Sequence, residues 1–258
     1  MKVNILGINI DKIGLTETLE VIGRFIASGS RHLIVTVNPE IILEAQKNQQ
    51  YRQALNSATL ATCDGAGLQW AAKFLHQENI PRVTGVDLTL ELLRGEVPGA
   101  RIYLLGGEQS VALELQKKYP QNVVGAESGG RLVTVVETLH STSLQNAEKQ
   151  EWILENQEEI FKKIKASGAN ILLAAFGGVK QEIWLHDNLR QMPSVKVGIG
   201  VGGTYDYLTG RVKRPPAWMR RAGLEWLYRL IVMPSRAGRI YNATVKFPLL
   251  VLREKFKK

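Results

Sequence analysis

One cysteine in 258 residues, Cys63, excludes an internal disulfide and suits a reducing compartment. No histidine lies near it in the chain and nothing local lowers its pKa. It reads as a small buried residue at a strand end, not as a nucleophile. The four histidines, His32, His76, His140 and His186, show no metal-ligand spacing. No D-x-D occurs, because Asp11, Asp64, Asp87, Asp187 and Asp206 all stand apart. There is no G-x-x-x-x-G-K-[ST], which excludes a P-loop, and LLGGEQS (104–110) lacks the full G-x-G-x-x-G spacing, so NAD gains little support. No metal and no cofactor are expected. No apolar run approaches the roughly 20 residues that span a bilayer. MKVN leads into a short apolar run, VNILGINI, without a leader-type h-region, so no secretory leader is expected.

What is present is an uneven charge. Residues 211–258 hold 13 Lys and Arg against two acids, Glu225 and Glu254, a local charge of +11. The remaining 20 basic and 22 acidic residues leave the rest of the chain at −2. A near-neutral body with a strongly basic end points to an anionic partner: nucleic acid, phosphates or an anionic membrane surface. A solvated basic helix is the plain alternative.

Short apolar, β-branched runs alternate with helical patterns. Strands are expected at 32–37, 59–63, 101–106, 122–126, 170–176 and 195–200, and helices at 15–28, 39–57, 66–77, 86–94, 108–119, 146–166 and 179–191. Continuous apolar strands separated by helices imply βαβ units: an α/β, Rossmann-like, mostly parallel sheet covered on both faces. Ligands of such sheets bind beyond the carboxyl ends of the strands. The residues there are Asn38-Pro39-Glu40, Asp64-Gly65-Ala66-Gly67, Gly106-Gly107, Gly177 to Glu182, and VGGTYD ending at Asp206. Glycines there let backbone N–H groups approach a ligand, and the helix N-termini behind them favour anions. A nucleotide or sugar nucleotide suits that rim. With no metal motif, arginines are the natural groups to hold a pyrophosphate. Residues 127–146, rich in Ser, Thr and Gly, break the pattern as a hairpin or loop.

After Asp206 the character changes. One helix is expected between Pro215-Pro216 and Pro234, and a second from Ser235, interrupted near Pro248. On the first, Arg221, Glu225 and Arg229 share a stripe beside Trp218, Ala222, Trp226 and Leu230. Interleaved Trp, Leu and Arg favour a membrane surface over a nucleic-acid arm, with an ordinary core helix as the rival. The division expected is a core at 1–205 and a basic helical appendage at 206–258.

TVNPE (36–40), CDGAG (63–67), RVTGVD (82–87), LLGG (104–107), KQEIW (180–184), GVGGTYD (200–206) and RPPAW followed by GLEWLYRL (214–230) occur in order. Together they resemble the WecG/TagA/CpsF family of bacterial glycosyltransferases over nearly the whole chain. The resemblance implies an inverting transfer, without a D-x-D metal site, from a UDP-sugar to a polyprenyl-diphosphate-linked acceptor at the inner face of the cytoplasmic membrane. Best-known members add N-acetylmannosamine to undecaprenyl-diphosphate-linked N-acetylglucosamine in wall teichoic acid synthesis. It implies further that Asp64 is the general base, with Thr36 beside it in the catalytic centre. Asn38, Arg82, Gln181 and Asp206 would contact substrate, and the appendage arginines Arg214, Arg221 and Arg229 would hold the diphosphate. Capping of the following helix is the ordinary alternative for Asp64. Asp87 reads as an N-cap or structural partner, and Glu182 and Trp184 as structural. The chain departs from the family at Val179, where many members have Pro, and in the length of 127–146. Both leave the donor sugar open among N-acetylmannosamine, its uronic acid and glucose. Rival readings are a soluble NAD- or nucleotide-dependent enzyme and a nucleic-acid-binding module, and a homo-oligomer stays open.

Overall fold

The structure, a computed structural model, describes residues 1–139 and 147–257. His140 and the centre of the irregular stretch lie outside the described residues. The chain opens with an antiparallel hairpin, β1 (Lys2–Ile5) and β2 (Ile8–Asp11), turned by Leu6 and Gly7, both at positive φ. Tight hairpin turns of this hand suit the strand twist. Six parallel strands follow: β3 (His32–Val37), β4 (Leu60–Cys63), β5 (Ile102–Gly106), β6 (Val123–Glu127), β9 (Ile171–Ala175) and β10 (Val197–Gly200). They lie in the order β4-β3-β10-β9-β5-β6. β2 lies against the outer edge of β4, where the Asp11 carboxylate accepts from the Ala61 N–H at 2.9 Å.

Helices cover both faces because successive strand residues alternate between two apolar layers. Leu33, Val35 and Val37 point into the layer shared with α2 (Pro39–Ala45), α3 (Gln49–Ser57), α4 (Ala66–His76), α7 (Gln157–Ser167) and α8 (Lys180–Asn188). Ile34, Leu104 and Ile199 enter the opposite layer with α1 (Leu15–Ala27), α5 (Gly85–Arg94), α6 (Gln109–Lys118) and α9 (Thr204–Leu208). The α/β, Rossmann-like reading with a parallel sheet therefore holds.

Four expectations change. The helix expected over 39–57 is two, because Asn48 caps a fresh start by accepting from the Tyr51 N–H. The helix expected at 146–166 is instead strand β8 (Ala147–Leu154), paired antiparallel with β7 (Leu132–Leu139), and only then α7. The single helix expected before Pro234 breaks at Gly223, whose φ of 73° ends α10 (Ala217–Arg221) before α11 (Glu225–Val232) begins. The second appendage helix is not interrupted at Pro248. A π-helical turn at 242–246 joins α12 (Ala237–Tyr241) to α13 (Phe247–Phe256). Widening the turn before a proline relieves the clash of its ring with an earlier carbonyl.

The basic end divides in two. α13 packs on α2 and α4, with Phe247 and Val251 fully buried in the core. α11 buries no residue completely. α9 packs on α5 and α6, so the expected boundary at 205/206 falls inside a core helix.

Candidate active site

β4 ends at Cys63 and delivers Asp64 to the carboxyl edge of the sheet. Cys63 itself is buried, and burial pushes its thiol up to about 12, so it stays protonated. Asp64 does not cap α4, whose N-cap Gly65 makes no side-chain bond. Its Oδ2 instead accepts from the N–H of Gly85, the first residue of α5, at 3.0 Å. The first N–H groups of a helix lack internal partners, so this bond is a natural anchor. The other carboxylate oxygen has no partner among the described residues. Burial pushes the Asp64 carboxyl up to about 6, and Glu225 adds to that push. The Gly85 N–H, Arg229 and Arg82 pull the other way.

Glycine at 85 lets three oxygens converge. A side-chain carbon there would sit 3.3 Å from Thr36 Oγ1, 3.6 Å from Thr204 Oγ1 and 3.8 Å from Asp64 Oδ2. Thr36 thus lies close beside Asp64, buried, its hydroxyl donating to the Gly200 carbonyl at 3.5 Å.

Above Asp64 a cavity of about 480 Å³ opens between the sheet edge and the appendage. Asn38, Asp64, Arg82 and Arg229 all line it, so four of the expected residues meet. Asn38 also caps α2 by accepting from the Ile41 N–H. Arg82 donates to the Arg220 carbonyl and to Glu225 Oε1, both at 3.0 Å. Arg229 reaches Glu225 Oε2 at 3.4 Å and lies over the Tyr207 ring. Gly223 explains the approach of α11: a side chain there would lie 2.9 Å from Ala66 Cβ.

Other expected residues lie off this cavity. Arg214 pairs with Asp87 at 2.9 Å. Asp87 Oδ2 accepts from the Thr84 hydroxyl, whose oxygen in turn accepts from the Asp87 N–H as the cap of α5. Burial works to raise the Asp87 carboxyl, but its bonds to Arg214 and Thr84 win and hold it low. Arg221 is exposed. Gln181 is buried, accepting from the Gly202 N–H and donating to Glu182, which also accepts from Tyr51. Asp206 stands in the first turn of α9. Glu225, Arg236 and Arg239, not anticipated as site groups, also line the cavity. Arg239 bonds Glu40 at 2.7 Å, while Arg236 has no carboxylate partner among the described residues. The stripe carrying Glu225 was visible in the sequence, but its partner Arg82 is 143 positions away.

A second cavity of about 580 Å³ opens at the carboxyl ends of β9 and β5. The connection from β9 runs toward one sheet edge and that from β5 toward the other, which makes this the switch point of the topology. Gly107, Phe176, Lys180 and residues of the β7–β8 hairpin line it. β10 and β3, with Gly200 to Thr204 and Thr36 at their ends, lie between this cavity and Asp64.

Among the described residues no three His, Cys, Asp or Glu side chains converge on a metal-sized site, and no helix is long and apolar enough to cross a membrane. A family model described as "Glycosyl transferase WecG/TagA/CpsF family" matches residues 3–258. The chain belongs to this family. It is a glycosyltransferase of cell-surface polysaccharide synthesis, taking a sugar donor and an acceptor. That assignment decides against the NAD-dependent and nucleic-acid-binding readings.

Proposed function

We propose that this family member transfers N-acetylmannosamine, with inversion, from its UDP-sugar to an undecaprenyl-diphosphate-linked N-acetylglucosamine. The observation that carries the reading is Asp64, a carboxylate with one oxygen unpartnered among the described residues, facing a cavity lined by Arg82, Arg229 and Arg236. The acceptor hydroxyl oxygen attacks the anomeric carbon as the bond from that carbon to the β-phosphate oxygen breaks. The hydroxyl proton passes to Asp64, and UDP leaves with the electron pair. A carboxylate whose pKa is raised to about 6 is a stronger base than an ordinary one, yet still ionised at neutral pH. Arginines aimed at the diphosphate stabilise the charge that builds on it, in the role a metal plays elsewhere. Donor nucleotide occupies the switch-point cavity, with Gln181 and Asp206 on the donor side and the sugar over the Gly200–Thr204 turn. Arg214 and Arg221 serve the appendage's outer anion contacts.

Support for a membrane-bound acceptor comes from the appendage surface. Trp218 is 64% exposed, Ile231 71% and Phe256 80%, close to the densest basic charge of the chain. Exposed apolar side chains on a strongly basic appendage suit an anionic headgroup layer. The reading places the protein at the inner face of the cytoplasmic membrane.

UDP release from UDP-N-acetylmannosamine, with a lipid-diphosphate N-acetylglucosamine acceptor and no divalent metal, tests it. Acceptor-dependent turnover that collapses in Asp64→Asn while UDP binding persists is expected. Equal turnover in both proteins removes Asp64 as base. Absence of wild-type turnover, with other UDP-sugars active, overturns the donor assignment.

A further inference from the structure

The β7–β8 hairpin has no place in a simple alternation of strands and helices, and its register shows what it presents. Leu132 pairs with Leu154, and Thr134 with Trp152. Residues two apart on a strand share a face, so these four side chains point the same way. Leu154 is 1% exposed and joins the core, with Leu132 packed beside it. Thr134 and Trp152 continue the same face outward as a wall of the switch-point cavity. The root of the hairpin is seated by Gly129, where a side chain would meet Leu105 Cδ1 at 2.9 Å.

Lys180 faces this wall from the start of α8. Its Nζ lies 5.0 Å from the centre of the Trp152 ring. The residue before it, Val179, has φ of 72°, a conformation that β-branched residues rarely accept. That turn aims Lys180 across the cavity mouth. The Trp152 indole N–H is shielded from solvent and has no acceptor among the described residues. Arg131 adds a second cation to the lining.

We propose that this hairpin is the donor-reading element of the enzyme. Trp152 is the stacking platform for the nucleobase, and Lys180 is a phosphate contact that rests on the ring when the cavity is empty. The proposal deepens the sugar-nucleotide reading above and rests on it. Aromatic faces accept planar bases by stacking, and an exposed ammonium–ring contact is weak enough to be displaced. The position agrees with the sheet: nucleotides of open α/β folds bind at the switch point. A base held at β9 and β5 sends its diphosphate and sugar across β10 and β3 toward Asp64.

Calorimetric titration of the full chain with uridine, UDP and inorganic pyrophosphate tests this. Trp152→Ala should weaken uridine and UDP alike, by roughly 5- to 150-fold, and leave pyrophosphate unchanged. Trp152→Phe, which keeps a π-face, should restore most of the loss. Lys180→Ala, at an exposed position, should weaken UDP and pyrophosphate and leave uridine as tight or tighter. Wild-type affinity for UDP in Trp152→Ala, or a uridine loss in Lys180→Ala equal to its UDP loss, overturns the proposal while the glycosyltransferase reading stands. A wild-type protein that binds no UDP overturns both.

Discussion

Replacing Asp64 by Asn should stabilise the folded protein while removing its activity, and the gain should grow with pH. The asparagine carbonyl keeps the bond from the Gly85 N–H, so the change removes mainly the charge. Folding raises the carboxyl from 3.8 to about 6 through burial. A group whose pKa rises on folding holds its proton more tightly in the folded state. Wild type therefore loses stability as pH rises from about 4 through about 6, and no more is lost above that. At roughly 1.4 kcal/mol per pH unit, the full cost is about 3 kcal/mol above pH 7 and about 1 kcal/mol near pH 4.5. These are ceilings, since cavity water screens the free oxygen. For a chain of this size the upper figure corresponds to a Tm gain of roughly 6–12 °C. Urea unfolding of both proteins at pH 4.5 and pH 8 measures the difference, and titrating groups not coupled to Asp64 cancel. A gain equal at both pH values, or a loss at pH 8, refutes the reasoning. The same raised pKa predicts that wild-type kcat/KM climbs through pH 6.

Glu225→Gln removes a carboxylate that pushes the Asp64 pKa up, so the midpoint of that pH profile should move lower; an upward move contradicts the assignment. The variant also loosens the tie from Arg82 to α11, so protease cleavage near residues 222–224 should quicken. Gly106→Ala should cost more than about 2 kcal/mol in urea unfolding, because φ is 97° and a Cβ would lie 2.8 Å from the Ala175 carbonyl carbon. Val179→Gly relieves a strained φ and should raise stability by up to about 1 kcal/mol, offset in part by chain entropy; a clear loss shows that the valine side chain outweighs the strain.

The strands and the rim beyond them were legible because burial on both faces leaves unbroken apolar runs. Asp64 was legible because its loop stands at the end of one such run. The β8 strand was not: Ala147 to Leu154 is rich in charge, and only Trp152 and Leu154 show its period of two. The helix that starts at Gln157 extends a helical pattern backwards through it. Arg214 and Arg82 were equally visible as basic residues, but their partners were not. Asp87 holds the first and Glu225 the second, across 127 and 143 positions. The close approach of Gly223 to Ala66, which the lack of a side chain allows, is encoded by no local pattern.

The hold of Asp11 on Ala61 has a consequence for how the molecule behaves in company. β4 is the outermost strand of an apolar parallel array, and such a border with free N–H groups recruits strands from other chains. Here a short hairpin lies along that border, and a carboxylate takes the N–H at its middle. A seventh strand arriving from a neighbour meets a filled donor and a negative charge, paired only loosely with Lys2 at 3.5 Å. The sheet stops at six strands on this side because its margin is already closed, which keeps neighbouring copies from growing into one another.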